Sequence, residues 1–306
     1  MPRYILKRLA MMVVTLFAIM LVTFLIMHAI PGGPYSAGKR LPEDIQAALD
    51  EKYHLNDPLY VQFFDYVKGV LQLDLGPSFR YEGLSVNDLI AQGFPVSATL
   101  GVLAMLFTLV ISVPMGIIAA LKHGKWQDTL ISVVTTIGVT VPSFVIATLL
   151  EYFLAYRLRW FPIYGVENPK GYILPMIALS GYYLAFVTRL TRSSLMDVMR
   201  MDYIRTARVK GLTETQVVVR HGLRNSLIPV VTVLGPTLAG LLMGSFVVEQ
   251  IFALPGMGRF FVQSITNRDY TAIMGFTLFY ATVLVVLVFL VDILYCLIDP
   301  RIKLAE

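Results

Sequence analysis

Six long stretches without a single Asp, Glu, Lys or Arg alternate with shorter charged intervals along the chain, at 9–30, 89–121, 129–150, 171–188, 225–248 and 270–291. A bilayer core takes roughly 20 apolar residues of helix, with about 17 as the lower bound, so the pattern predicts six helical spans. The span beginning at Gly171 is the shortest and borrows from Leu190. Prolines fall inside or near the start of four spans, at Pro114, Pro142, Pro175 and Pro236. Each removes a backbone donor and clashes with the preceding turn, which predicts bent helices.

The interval 31–93 is the only one large enough to fold outside the bilayer. Pro42 at a first-turn position, with Glu43 and Asp44 behind it, predicts a helix towards Tyr53. Asp57 is expected to cap a second, with Pro58 at its first position and Leu59, Phe63, Val67 and Val70 along one face. Ser85, with Asp88 three residues later, predicts the cap of a third just before the second span. These are amphipathic helices with nothing catalytic on them. They read as a small cap on the outer membrane surface or on a partner subunit, and the sharper alternative is a docking surface for a substrate-delivering protein.

The interval 189–229 is the longest polar stretch between two spans on the basic side, and it holds eight of the 25 Lys and Arg residues. Residues 203–210 predict a basic helix of about two turns, stopped at Gly211. Thr213 then caps a second helix, with Gln216 three residues on as the partner in a capping box. Helix, glycine turn and helix make an elbow that can dock into another protein's groove. The simpler alternative is a loop whose arginines only fix topology.

The connection 249–270 is broken by Pro255, Gly256 and Gly258, after which a re-entrant or surface helix carrying Phe260, Phe261 and Val262 is expected. It is an interfacial aromatic anchor or, alternatively, an outer gate or docking element.

Composition agrees with the spans: 57% of residues are hydrophobic and 15% charged, and the mean hydropathy is strongly positive. The net charge of +5 belongs to topology, because the basic residues sit beside span ends and no aromatic-interleaved basic patch suggests nucleic acid. With the N-terminus inside, fifteen basic residues fall on the cytoplasmic face and ten outside, five of them in the outer interval with its nine acidic residues. Both termini are therefore expected to be cytoplasmic. The first apolar run follows three basic residues but is long for a signal peptide, with no evident cleavage site, and is kept as a span.

No G-x-x-x-x-G-K-[ST] phosphate loop is present, which argues against ATP hydrolysis by that route in this chain. His28, His54, His123 and His221 lack zinc-type spacing, so no metal site is expected. Gly244-Ser245 has no His or Asp in a motif that would activate the hydroxyl, and the lone Cys296 can form no intrachain disulfide. Glu151, Glu249 and Asp292 fall at or near span ends, where a carboxylate costs little. A proton-coupled carrier would want a mid-span relay, and none is evident. The expectation is a non-catalytic membrane protein.

The elbow reads R-T-A-R-V-K-G-L over 205–212 and R-H-G-L-R-N-S-L-I-P over 220–229. It resembles the cytoplasmic coupling loop of ABC-importer permeases, in the version of the peptide and nickel branch. Ala207 and Gly211 hold the Ala and Gly places four apart, while Arg205 and Thr206 stand where the wider family has Glu and Ala. L-P-G-M-G at 254–258, N-R-D-Y at 267–270, Y-H-L-N-D-P from Tyr53 and L-G-P-S-F ending at Phe79 match the same branch, so the resemblance covers nearly the whole chain. It is nearest to the first, B-type permease subunit of oligopeptide importers, with the dipeptide type next.

The resemblance implies an all-α integral membrane protein of the type I ABC-importer permease kind, with six Pro-bent spans and a small helical outer region. Its parts are a cytoplasmic N-terminus with the first span (1–30), an extracytoplasmic loop (31–93) and a five-helix core (94–306) containing the coupling loop (189–224). It implies half of a translocation pathway for peptides in a bacterial plasma membrane. The implied partners are a homologous second permease subunit, two ABC ATPases that carry ATP and magnesium, and an extracytoplasmic peptide-binding protein. No cofactor is expected in this chain. Arg205, Thr206, Ala207, Arg208, Lys210, Gly211 and Leu212 would meet the ATPase, the small Ala207 and Gly211 allowing close approach and the cations offering charge contacts. Alternatives are import of dipeptides, nickel complexes or another small solute and, more distantly, a self-sufficient channel or ion-coupled carrier.

Overall fold

The computed structural model describes residues 2–30, 56–165, 167–242 and 246–298. Helices account for the regular structure there: α1 (Pro2–Ala29), α2 (Leu59–Leu71), α3 (Val86–Leu121), α4 (Trp126–Thr140) and α5 (Ser143–Leu150) come first. A π-helical turn, Glu151–Arg157, continues α5, and a 3₁₀ turn, Pro169–Tyr172, leads into α6 (Ile173–Val198). Then follow α7 (Asp202–Val209), α8 (Glu214–Gln216), a π-helical turn over Val217–Gly222, α9 (Leu223–Ser226), α10 (Ile228–Leu242), α11 (Phe246–Ile251), α12 (Met257–Thr266) and α13 (Tyr270–Ile298). Among the described residues, five helical segments are long and apolar enough to cross a bilayer, and a bent pair, Trp126–Thr140 with Ser143–Arg157, raises the number to six.

The pair is bent by 102° at its break. Val141 is extended and Pro142 occupies the cap position of α5 with its φ at −58°. A residue preceding proline is pushed out of the helical region, which is why α4 ends there. Of the four prolines expected to bend spans, Pro142 coincides with this break. Pro175 lies in the first turn of α6, where no donor is missed, and Pro114 and Pro236 sit inside uninterrupted helices.

Two outer expectations need correction. The second outer helix is not capped by Asp57: it begins at Leu59 with Pro58 in the cap position. The Asp57 carbonyl instead accepts from Gln62 Nε2 at 2.8 Å. The Ser85–Asp88 capping box forms, with Ser85 N–H donating to Asp88 at 2.9 Å and Asp88 N–H to Ser85 Oγ at 3.1 Å. It opens α3 itself rather than a separate third helix. The 36 residues of α3 extend about 54 Å at 1.5 Å per residue, well past the roughly 30 Å of a hydrocarbon core. The helix expected over 42–53 and the Gly244-Ser245 pair lie outside the described residues.

Contacts divide the chain into two compact units, Met1–Ser97 with Pro255–Val286, and Ala98–Leu254 with Leu287–Glu306. In the first, Phe24 and Met27 of α1, Phe63 of α2 and Tyr270, Ile273 and Met274 of α13 form a buried cluster. The face expected for α2 is thus used, with Phe63 at its centre. In the second, α6 is the spine against which α4, α5 and α10 pack. Gly138 of α4 meets Gly181 of α6 so closely that an added Cβ would lie 2.9 Å from the Gly181 carbonyl oxygen.

Candidate functional site

The elbow follows from local chain physics. Asp202 lies in the first turn of α7 and Arg208 in the last, each at the end where the helix dipole favours its charge. Lys210 caps the helix and Gly211 has φ +80°. Gly211 N–H donates to Arg208 O at 2.9 Å and Leu212 N–H to Ala207 O at 3.4 Å, the paired bonds of a Schellman turn. This accounts for the A-R-V-K-G-L spacing. Glycine is required at the left-handed position, and Leu212 beyond it folds back on the buried cluster of Val198, Ile204, Ala207 and Val217. The next helix opens with the expected capping box: Thr213 N–H donates to Gln216 Oε1 at 3.1 Å, and Gln216 N–H to Thr213 Oγ1 at 3.4 Å. Arg208 reaches across the turn to Glu214, with Nε 2.8 Å and Nη2 3.3 Å from its carboxylate oxygens. Both partners are exposed, so the pair contributes about 0–1 kcal/mol.

The seven residues expected to meet a partner separate into two groups. Arg205, Thr206, Arg208, Lys210 and Gly211 are exposed on one continuous surface. Ala207 is 5% exposed and faces its own chain, and Leu212 is half-buried beside it. Nothing lies within 4 Å of where a Gly211 Cβ would be. Within this chain the small residues therefore serve the turn and its core. The sequence reading missed Val209, which is 88% exposed and stands at the tip of α7 between Arg208 and Lys210. The sequence carried no signal for this, because which side of α7 is covered depends on its packing against α6.

Two attachments fix the elbow. Val198, the last residue of α6, belongs to the elbow's core, and Asn225 Nδ2 donates to Tyr203 Oη at 2.8 Å. The reading also missed what lies just before it on α6. Arg192 Nε and Nη2 donate to Asp128 Oδ1 and Oδ2 at 2.7 and 2.9 Å. Gly124 N–H and a ring nitrogen of His123 each lie 3.0 Å from the same carboxylate. Asp128 and Arg192 are 64 residues apart, and periodicity carries no signal for that.

On the side expected to be outer, the motifs L-G-P-S-F and N-R-D-Y come together. Asn267 caps the end of α12, Arg268 takes the left-handed position of a Schellman turn with φ 56°, and Asp269 N–H donates to Ser264 O at 2.9 Å. Asp269 then starts α13, accepting from Ala272 N–H at 3.2 Å. Its second oxygen accepts from Ser78 Oγ at 2.5 Å and Arg80 N–H at 3.2 Å, so one buried carboxylate clasps the loop before α3 to α13. In L-P-G-M-G, Gly256 caps α12, Met257 N–H donates to Ser97 Oγ at 2.9 Å, and Gly256 and Gly258 are buried while Pro255 is exposed. Phe260 is buried and Phe261 half-buried, so the aromatics of α12 are largely turned into the protein. A cavity of about 270 Å³ in this unit is lined by residues that include His28, Gln62, Tyr66 and Tyr270, but not by Pro255, Gly256 or Gly258.

Comparison with known proteins identifies this arrangement. Residues 112–304 match the family described as binding-protein-dependent transport system inner membrane component, and residues 1–101 match the N-terminal region of such membrane components. The chain belongs to this family. It is 44% identical over 304 residues to the dipeptide transport system permease protein DppB of Bacillus subtilis, covering 99% of both chains. It is 42% identical over 306 residues to the oligopeptide transport system permease protein OppB of Escherichia coli K12, covering 99% of this chain and all of that one. Its fold is similar to that of a chain of the MetNI methionine ABC transporter, with a TM-score of 0.51 at 20% identity over 67% of this chain and 92% of that one. Members of the family are multi-pass inner-membrane components of transporters energised by separate ATPase subunits and supplied by substrate-binding proteins, and this chain is one such component.

Proposed function

We propose that this chain is a membrane subunit of an ATP-driven peptide importer, forming half of the translocation pathway together with a homologous second permease subunit. The observation that carries the reading is end-to-end similarity above 40% to both dipeptide and oligopeptide permease proteins. The exposed elbow, on the side expected to be cytoplasmic, supports it. Two ABC ATPases with ATP and magnesium supply the energy, and an extracytoplasmic peptide-binding protein delivers the cargo. Both termini face the cytoplasm.

In this reading α7 is the coupling helix. Arg205, Thr206, Val209 and Lys210 meet the ATPase surface, while Ala207, Ile204 and Leu212 hold the helix in shape from behind. Closure of the ATPase pair around ATP displaces α7, and the displacement reaches the spans through α6, whose last turn is part of the elbow's core.

The test is cross-linking in native membranes, with one cysteine at Thr206 or Lys210 in a Cys296→Ser background. A nucleotide-sensitive adduct with the ATPase is the expected result. Efficient capture of lipid or other copies of this chain alone, with the ATPase present, would sink the coupling role.

A further inference from the structure

We propose that the Arg192–Asp128 pair is a positioning clamp that makes α4 move with the elbow, so that displacement of α7 is delivered to the break at Pro142. The proposal rests on the coupling role of α7 given above.

Three observations carry it. First, α6 is uninterrupted from Ile173 to Val198, and Val198 is buried in the elbow's own core. A push on α7 is therefore a push on the end of α6. Second, Arg192 sits six residues earlier on α6 and grips Asp128, in the first turn of α4, with a two-pronged bond at 2.7 and 2.9 Å. Gly124 N–H donates to the same carboxylate at 3.0 Å, and the His123 Nδ1 lies 3.0 Å from it and 2.9 Å from Arg192 Nη2, around a residue only 5% exposed. Third, the grip continues along α4: Arg189 Nη2 donates to Thr135 O at 3.0 Å, and Gly138 touches Gly181 at backbone distance. At Val141 and Pro142 the chain then turns by 102° into α5, which packs on α6 as well, with Ile146 against Gly181. The α4–α6 pair thus connects the elbow to the break at Pro142.

Helix packing alone would not call for such a pair. Buried ion pairs add little net stability compared with apolar neighbours of the same volume. What a two-pronged guanidinium–carboxylate bond supplies is a fixed direction and register, which transmission of movement needs.

The test uses the complete complex, with both permease subunits, the ATPases and the binding protein, in vesicles. Arg192→Gln is expected to lower peptide import at least tenfold while ATP hydrolysis stays within about twofold of the unmodified complex. Arg192→Lys, which keeps the charge and loses the fork, is expected to fall between. In the Asp128→Cys, Arg192→Cys, Cys296→Ser chain, import is expected to be low, to recover when a short bifunctional thiosulfonate bridges the two thiols, and to fall again on reduction. A role confined to folding would not respond to that bridge, so this arm decides the matter even if Arg192→Gln fails to assemble. Import by Arg192→Gln at the unmodified rate, or a bridged double-cysteine chain as inactive as the unbridged one, would overturn the clamp and leave the importer reading standing. An unmodified complex that imports no peptide would overturn the importer reading, and the clamp with it.

Discussion

Gly211 separates two ideas about why small residues occupy the elbow. If a partner's groove leaves no room, any side chain there is harmful in proportion to its size. If the turn itself needs the left-handed conformation, tolerance follows φ instead. The φ of +80° and the open space around the missing Cβ favour the second. An ordinary L-residue in that conformation costs about 1–2 kcal/mol, and asparagine tolerates it best of the others. Peptide import is therefore expected to rank Gly211, then Gly211→Asn, then Gly211→Ala, then Gly211→Val, although Asn is larger than Ala. Better import by Gly211→Ala than by Gly211→Asn would return the decision to the partner's groove. Ala207 obeys a different rule, since it is packed among Val198, Ile204 and Val217. There a larger side chain overpacks a small core, at a cost of about 1–3 kcal/mol.

Among the elements, the loop before α3 is held by one carboxylate. Asp269 ends one helix turn, begins the next helix and accepts from Ser78 and Arg80, so three structural tasks meet on a residue that is 1% exposed. Asp269→Asn puts an amide donor among groups that are themselves donors, which costs about 1–3 kcal/mol. Ser78→Ala removes one bond and costs about 1 kcal/mol. Both variants are expected to quicken proteolytic cleavage between residues 74 and 85 in reconstituted vesicles, Asp269→Asn more so, with α13 left intact. Unchanged cleavage in Asp269→Asn would show that the loop is held by something other than this clasp.

At the scale of the whole molecule, the distribution of charge sets the expected orientation. With fifteen basic residues on one face and ten on the other, the positive-inside bias predicts a cytoplasmic elbow. In a Cys296→Ser background, a membrane-impermeant thiol reagent applied to intact spheroplasts is expected to label Gln72→Cys, at the end of α2, and to leave Lys210→Cys unlabelled until the membrane is opened. The reverse pattern would invert the topology and remove α7 from reach of a cytoplasmic ATPase.

The sequence by itself determined whatever depends on neighbours along the chain. Six apolar runs gave the spans, and Gly211, Thr213 and Gln216 gave the elbow, because caps and glycine turns close within six residues. The Ser85–Asp88 box was legible for the same reason, but not that it opens the long α3, since a cap does not say how far its helix runs. The tertiary structure alone decided which side of α7 is which. Ala207 turns inward and Val209 outward because α6 ends beneath α7, and that placement comes from packing. It alone brought Asp128 to Arg192 and Ser78 to Asp269, partners 64 and 191 residues apart. A carboxylate and its donor so far apart in sequence leave no periodic trace, because the bond between them is specified by how separate parts of the chain pack and not by either part alone.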